Sequence, residues 1–390
     1  MNTNPNNSGR NWATSLSQKR ARPVEWLIEK GIFLVSLSTI IMVFLIFLFV
    51  GKEAYPIIIG QMNSTVAFEP IQPDQMSTIP KEQLLEYLDL SATELTGMDE
   101  ETLMLMMEIK LEEAAESPED KDAGLNTTKW EHLIKPHQWT GYSKPEYIWQ
   151  PVSDVHKYNI VPLLLGSLKV TLVALLVALP LSLAAAIYVS QLASPRLKEW
   201  LKPAIELLGG IPSVVLGFFA LLVMTTALEQ IFDFETRLNS FVAGIALGLA
   251  IVPVVFSIAE DALTSVPRSY TQAALALGAT KWQASWKIVL PAALPGVFAA
   301  FVLGFGRAIG ETMIVLMASG NASILSANLF DSARTITATI AAELAETVFG
   351  GHHYRMLFML GAILFAITFI SNLAGDIFIH RLKKKLEGRA

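Results

Sequence analysis

The chain has 390 residues, 52% of them hydrophobic and only 16% charged, with a formal net charge of −6 and a mean hydropathy of +0.45. That balance excludes an ordinary soluble domain and points to an integral membrane protein. With no cysteine there is no disulfide framework, and the redox compartment is left open.

Residues 1–28 form a basic tail with Arg10, Lys19, Arg20 and Arg22. The apolar run at 29–50 is too long for a signal-peptide core and no small-x-small cleavage site follows, so it reads as a retained membrane anchor. Residues 51–158 hold 20 Asp plus Glu against 8 Lys, a balance of −12, which leaves +6 for the rest. Within them, 81–116 has helical periodicity broken around Thr96, Gly97 and Met98, which predicts two helices. The part from 118 to 158 is irregular and carries Trp130, Trp139 and Trp149. His132, His137 and His156 have no metal-ligand spacing, so a small packed cap with solvated polar groups is expected. The glycosylation sequon at 126–128 is a match that chance often produces.

Five further spans are predicted at 167–190, 205–228, 238–258, 296–318 and 356–378, since about 20 apolar residues cross the hydrocarbon core. Two connecting loops are long, 259–291 and 320–354, and residues 381–390 form a second basic tail. Lysine and arginine cluster in both tails, at 193–203 and at 259–291, so the positive-inside rule places all four segments in the cytoplasm. The acidic block then lies outside. No phosphate-cradling G-x-x-x-x-G-K-[ST] loop occurs, nor a His-Glu-x-x-His or a nucleophile–His–Asp arrangement. No catalytic or metal site is therefore expected.

Two stretches carry chemistry. In FVLGFGRAIGETMIVLMASG, 301–320, Arg307 and Glu311 sit amid apolar residues. A charge at mid-bilayer costs roughly 2.5–3.5 kcal/mol on insertion scales, so such groups face a partner or a cavity. Four apart on a helix, they are able to pair, and on charge logic alone a structural pin and a functional path are both open. Gly304, Gly306 and Gly310 leave room beside them. In ELLGGIPSVV, 206–215, Gly209, Gly210 and Pro212 are expected to interrupt the third span. A half-helix starting there offers free N–H groups and the Ser213 hydroxyl to an anion, with a simple kink as the alternative.

The loop SVPRSYTQAALALGATKWQASWKIVLPAALPG, 265–296, predicts a helix–turn–helix. Ser269 with Gln272 and Thr280 with Gln283 each fit a capping box, Gly278 fits a left-handed helix end, and Pro291 and Pro295 bend the chain into the fifth span. A linker resting on the headgroups would also suit Trp282 and Trp286. The spacing Gln272-Ala273-Ala274, three residues, Gly278, nine residues, Ile288, one residue, Leu290-Pro291 nevertheless resembles the E-A-A-x3-G-x9-I-x-L-P loop of ABC-importer permeases. Gln stands in place of the first Glu. The resemblance implies a coupling helix formed by these residues, seated in a separate ATPase subunit.

GGIPSVVLG at 209–217, GRAIGETM at 306–313 and LFDSARTITATIAAEL at 329–344 together resemble the permeases of phosphate-specific (Pst) importers, C-type (PstC-like). The resemblance covers roughly 160–380. It implies an all-α integral membrane protein with six transmembrane helices and a type I ABC importer permease core. An acidic periplasmic insert, longer than usual, separates helices 1 and 2. The domains are the tail 1–28, helix 1 at 29–50, the insert 51–158, the permease domain 159–380 with its loop 259–291, and the tail 381–390. It implies a non-enzymatic subunit of the bacterial inner membrane, both termini cytoplasmic, importing inorganic phosphate along a path that includes Arg307, Glu311, Thr312, Ser213 and Gly210. The implied partners are an A-type permease, two ATPase subunits that bind ATP and Mg, a periplasmic phosphate-binding protein and the bilayer, with no nucleic acid. Another oxyanion (molybdate, sulfate or phosphonate) is the alternative cargo. A membrane sensor would need a larger cytoplasmic output domain, and a proton-driven transporter leaves the loop unexplained.

Overall fold

The computed structural model describes residues 23–60, 102–106, 109, 125–153, 155–386 and 388. Most of the stretch expected as two helices, and with it most of the acidic block, lies outside these residues. The chain divides into two compact units, 1–52 and 53–390. Helix α1, Pro23–Ile58, carries the first apolar run. It is apolar on all sides, as a helix surrounded by lipid must be.

A small cap follows, built from α2 (Trp130–Ile134) and an antiparallel pair, β1 (Trp149–Gln150) with β2 (Lys157–Tyr158), in which Trp149 lies opposite Tyr158. The helical region continues with α3 (Val161–Ile187), α4 (Pro195–Leu208), α5 (Ser213–Phe219), α6 (Thr225–Phe232), α7 (Ser240–Thr264), α8 (Arg268–Ala276) and α9 (Lys281–Ala284). It ends with α10 (Leu290–Ile309), α11 (Met313–Ala318), α12 (Ile336–Glu343) and α13 (His352–Leu386). π-helical turns join α5 to α6 and α9 to α10. Six helices among the described residues are long and apolar enough to cross a membrane: Trp26–Ile58, Val161–Leu192, Ser213–Phe232, Ser240–Thr264, Lys281–Ile309 and His352–Lys385.

The fold is all-α, as expected; all six spans differ from their expected bounds, the first, second and sixth by running longer at both ends, and the other three for specific reasons. The third begins at Ser213 rather than 205, because Gly209–Pro212 ends α4 as a separate amphipathic helix with no buried residue. The fourth runs on to Thr264 because neither charge there stops it: Glu260 is buried against lysine partners and Asp261 faces outward, paired with Lys202. The fifth starts at Lys281 and stops at Ile309, not at 318. The π-helical turn Ser285–Val289 absorbs the hydrogen bond that Pro291 cannot donate, so that proline opens α10 instead of bending the chain.

The main core is the seam between α3, α7 and α10, filled by small residues such as Ala174, Ala178, Ala246, Ala250 and Ala300. Without a hydrophobic drive between helices in lipid, such seams gain from close van der Waals contact. At Gly244 an added Cβ would stand 2.5 Å from the Val173 side chain, so only glycine permits this approach. A second cluster joins Ile57, Leu133, Trp149, Tyr158, Met356 and Leu360, and fastens the cap to the start of α13.

We expect Gly244→Ala to lower stability by roughly 1–3 kcal/mol through overpacking. Gly361→Ala, where the new Cβ meets nothing within 4 Å, should be neutral or stabilising by up to about 1 kcal/mol. Thermal melting of the two purified variants in detergent checks the contrast.

Candidate functional site

Arg307 lies in the last turn of α10 and is exposed. The helix ends at Ile309 with Gly310 as its cap, Glu311 and Thr312 are non-helical, and α11 restarts at Met313. The break tightens through a bond from Glu311 N–H to the Ala308 carbonyl at 3.3 Å. The expected Arg307–Glu311 pair is therefore not made, because four residues across a broken helix are no longer one turn apart. Instead a Glu311 carboxylate oxygen accepts from Met313 N–H at 3.2 Å, capping the new helix. The Glu311 carbonyl accepts from the Thr337 hydroxyl at 2.7 Å. Arg307 has neither an ion pair nor a hydrogen bond among the described residues.

Space surrounds this break. Thr312 and Thr337 line an open groove of about 420 Å³ with Ile340, Ala341, Leu344 and Ala345. Gly306 leaves a gap opposite α13, where the Asn372 amide oxygen would lie 3.8 Å from a Cβ at that position. Asn372 is exposed and well within its span. Sequence reading passed over it because a lone Asn carries no spacing signal.

Ser213 opens α5 after Pro212, as the Gly-Gly-x-Pro pattern predicts, with Gly210 exposed in the preceding turn. The structure packs α5 on α11: a Cβ at Gly217 would meet the Met317 sulfur at 2.7 Å and the Met313 carbonyl at 3.3 Å. The helix opened by Ser213 and the helix that follows Glu311 are thus neighbours, while no hydrogen bond links Ser213 or Gly210 to Arg307 or Glu311 among the described residues.

The loop 265–291 forms the expected helix–turn–helix. Gly278 has φ +84°, which a side chain would strain. Thr280 and Gln283 make the reciprocal capping box, at 3.2 and 3.0 Å. The Ser269–Gln272 box does not form. Helix α8 starts two residues too early for it, with Pro267 as its cap and Ser269 already in the first turn. Ala274 is buried and seats the loop, whereas Gln272, Ala273, Gly278 and Ile288 are exposed, and Leu290 and Pro291 are half-buried where α10 begins. Leu277 is 91% exposed, and Trp282 stacks on Trp286 with centroids 6.0 Å apart. So much outward apolar surface on one loop suits contact with a protein partner or with the membrane surface.

Two buried clusters were not read from the sequence. Glu260, at the end of α7, is 1% exposed and accepts from Lys198 Nζ at 2.6 Å, Lys202 Nζ at 2.7 Å and the Thr264 hydroxyl at 2.8 Å. Lys202 also reaches Asp261 at 3.0 Å. This clamp fixes α4 to the helix end from which the loop departs. Near the cap, Glu343 of α12 accepts from Arg334 Nη1 at 2.5 Å and from Trp149 Nε1 at 3.1 Å, and lies 3.2 Å from His353 Nε2. Arg334 further donates to the Asn321 carbonyl at 3.1 Å.

Residues 163–385, more than half of the chain, match the binding-protein-dependent transport system inner membrane component family. The chain belongs to that family. This permease is 38% identical over 222 residues to the probable ABC transporter permease protein YqgH of Bacillus subtilis, covering 57% of this chain and 72% of that protein. It is 33% identical over 260 residues to the phosphate transport system permease protein PstC of Pasteurella multocida, covering 62% and 80%. A solved structure of the MetNI methionine ABC transporter in an inward-facing conformation is similar at 20% identity and TM-score 0.44, over 57% of this permease and 94% of that chain. With six apolar helices, the permease is a multi-pass inner-membrane protein.

The Glu260 hydrogen bond holds the Lys202 ammonium well above the usual lysine range. A raised value means a proton kept in the folded state, so this support is present below ordinary lysine titration and is lost only as pH rises through the folded value. Glu260→Ala, which removes the shared acceptor of two partly exposed lysines and the Thr264 hydroxyl, should cost roughly 1–3 kcal/mol in detergent melting. Lys198→Ala, at a residue whose side chain is 34% exposed, should cost clearly less.

Proposed function

We propose that this permease is one membrane subunit of an ATP-driven importer of inorganic phosphate. The observation that carries the reading is the partnerless Arg307 one turn before a helix break. A guanidinium presents its donors in a fork that suits two oxygens of a tetrahedral anion. Set in a membrane span, it gains most when an anion is beside it. Glu311 stands near with its carboxylate turned to capping α11, so that it limits how tightly an anion is held without neutralising the arginine. Thr312, the Ser213 hydroxyl and the turn at Gly210 complete the path as polar, uncrowded neighbours. Relatives that are named phosphate transport permeases support this cargo over molybdate, sulfate or phosphonate.

In this reading the chain performs no chemistry. Gln272, Ala273, Ala274, Gly278, Ile288, Leu290 and Pro291 couple it to one of two ATPase subunits, which bind ATP and Mg. The outward Leu277 and the Trp282–Trp286 stack fit a partner groove, and Gln272 docks without the charge a glutamate would bring. An A-type permease completes the path, a periplasmic phosphate-binding protein delivers the anion, and both termini lie in the cytoplasm.

Arg307→Gln should lower radiolabelled phosphate uptake roughly 100-fold, with membrane level and complex assembly unchanged. Wild-type uptake should be competed by unlabelled phosphate and not by sulfate or molybdate. Normal uptake by Arg307→Gln would return the residue to a structural role. Orientation is testable because the native chain has no cysteine. A single cysteine at Leu277 should label only from the cytoplasmic side and one at Val152, 85% exposed, only from outside. The reverse pattern would overturn the topology.

A further inference from the structure

We infer that Thr337 is a positioning residue for the Arg307–Glu311 site, holding the break between α10 and α11 through its hydrogen bond to the Glu311 carbonyl. The inference rests on the phosphate-permease reading above. A break between two helices leaves backbone carbonyl groups that no intrahelical N–H satisfies. At this break the Glu311 carbonyl is met by the Thr337 hydroxyl at 2.7 Å. That hydroxyl lies 3.2 Å from the Thr335 hydroxyl, which accepts from Ala338 N–H at 3.3 Å and caps α12. The result is a chain of bonds from the α12 backbone to the break, each polarising the next.

The holder is itself held. Ile336 N–H donates to Ser167 of α3 at 3.1 Å, and Thr339 donates to the Thr335 carbonyl at 2.8 Å. At the far end of α12, Glu343 gathers Arg334, Trp149 of the cap and His353 of α13. A shift of the cap or of α13 therefore moves α12 as a body, and Thr337 passes that shift to the carbonyl of Glu311. The residue acts through Glu311 and needs no contact with the anion.

The test uses the whole transporter in proteoliposomes with its binding protein, reading labelled inorganic phosphate uptake and ATP hydrolysis per assembled complex. Thr337→Val keeps the shape and removes the donor. It should lower maximal uptake roughly ten-fold, the scale of one lost hydrogen bond, and raise the ATP hydrolysed per phosphate, with the half-saturating phosphate concentration unchanged. Thr337→Ser keeps the hydroxyl and should restore both quantities. Unaltered coupling in Thr337→Val, or equal damage in Thr337→Ser, overturns the role. Loss of assembly in both Thr337→Val and Thr337→Ala assigns the hydroxyl to folding and overturns it as well. An assembled wild-type complex that takes up no phosphate overturns the underlying reading instead, which separates the two failures.

Discussion

A guanidinium inside an apolar span must be met by a partner, by water or by a ligand, and here the surrounding helix is built so that its obvious partner is withheld. Had α10 continued, Glu311 would have stood one turn from Arg307 and the two charges could have closed on each other. The break after Ile309 turns the Glu311 carboxylate to Met313 N–H and its carbonyl to Thr337, leaving Arg307 exposed. Much of the permease domain can be read as support for that geometry. The α3–α7–α10 seam fixes the helix that carries Arg307, α5 packs on the helix that follows the break, and α12 braces the break itself.

The opposite end of the domain is organised by a second buried charge. Glu260 binds two lysines from α4 to the end of α7, so the amphipathic helix and the departing loop share one anchor. From α4 the chain passes through Gly209–Pro212 directly into Ser213 and α5. In the proposed transporter, force applied to the exposed loop would enter α7 and α10 at their ends and reach α5 through this clamp. The buried Glu260 carboxylate is met by three donors at once, and leaving any of its oxygens unpaired is costly, which makes the clamp a rigid joint instead of a hinge.

The span count and the helix–turn–helix of the loop were legible because both rest on local rules: apolar length, the Thr280–Gln283 box and the left-handed Gly278. The start of α5 was legible for the same reason, since Gly209, Gly210 and Pro212 together favour an interruption, although a simple kink stayed open until the structure showed α4 and α5 as separate helices. The break at 310–312 was not. Its glycines also suit close helix packing, and the four-residue spacing of Arg307 and Glu311 invited a helical pair. Glu260 and Thr337 escaped notice because the lysines of the one and the carbonyl met by the other lie 58 to 62 and 26 residues away along the chain, and Glu343 because Arg334 and His353 stand at no helical spacing from it while Trp149 is 194 residues away. No periodicity encodes such contacts, and they become visible only when helices distant in sequence are packed.

The most direct test of the withheld pair is a double-mutant cycle in phosphate uptake using Arg307→Gln, Glu311→Gln and the combined variant, each normalised to assembled complex. If the two groups serve the anion separately, the double variant should transport no better than Arg307→Gln alone. Recovery of uptake in the double variant would mean that the charges neutralise each other in the working protein, and would contradict an arginine held free for the substrate.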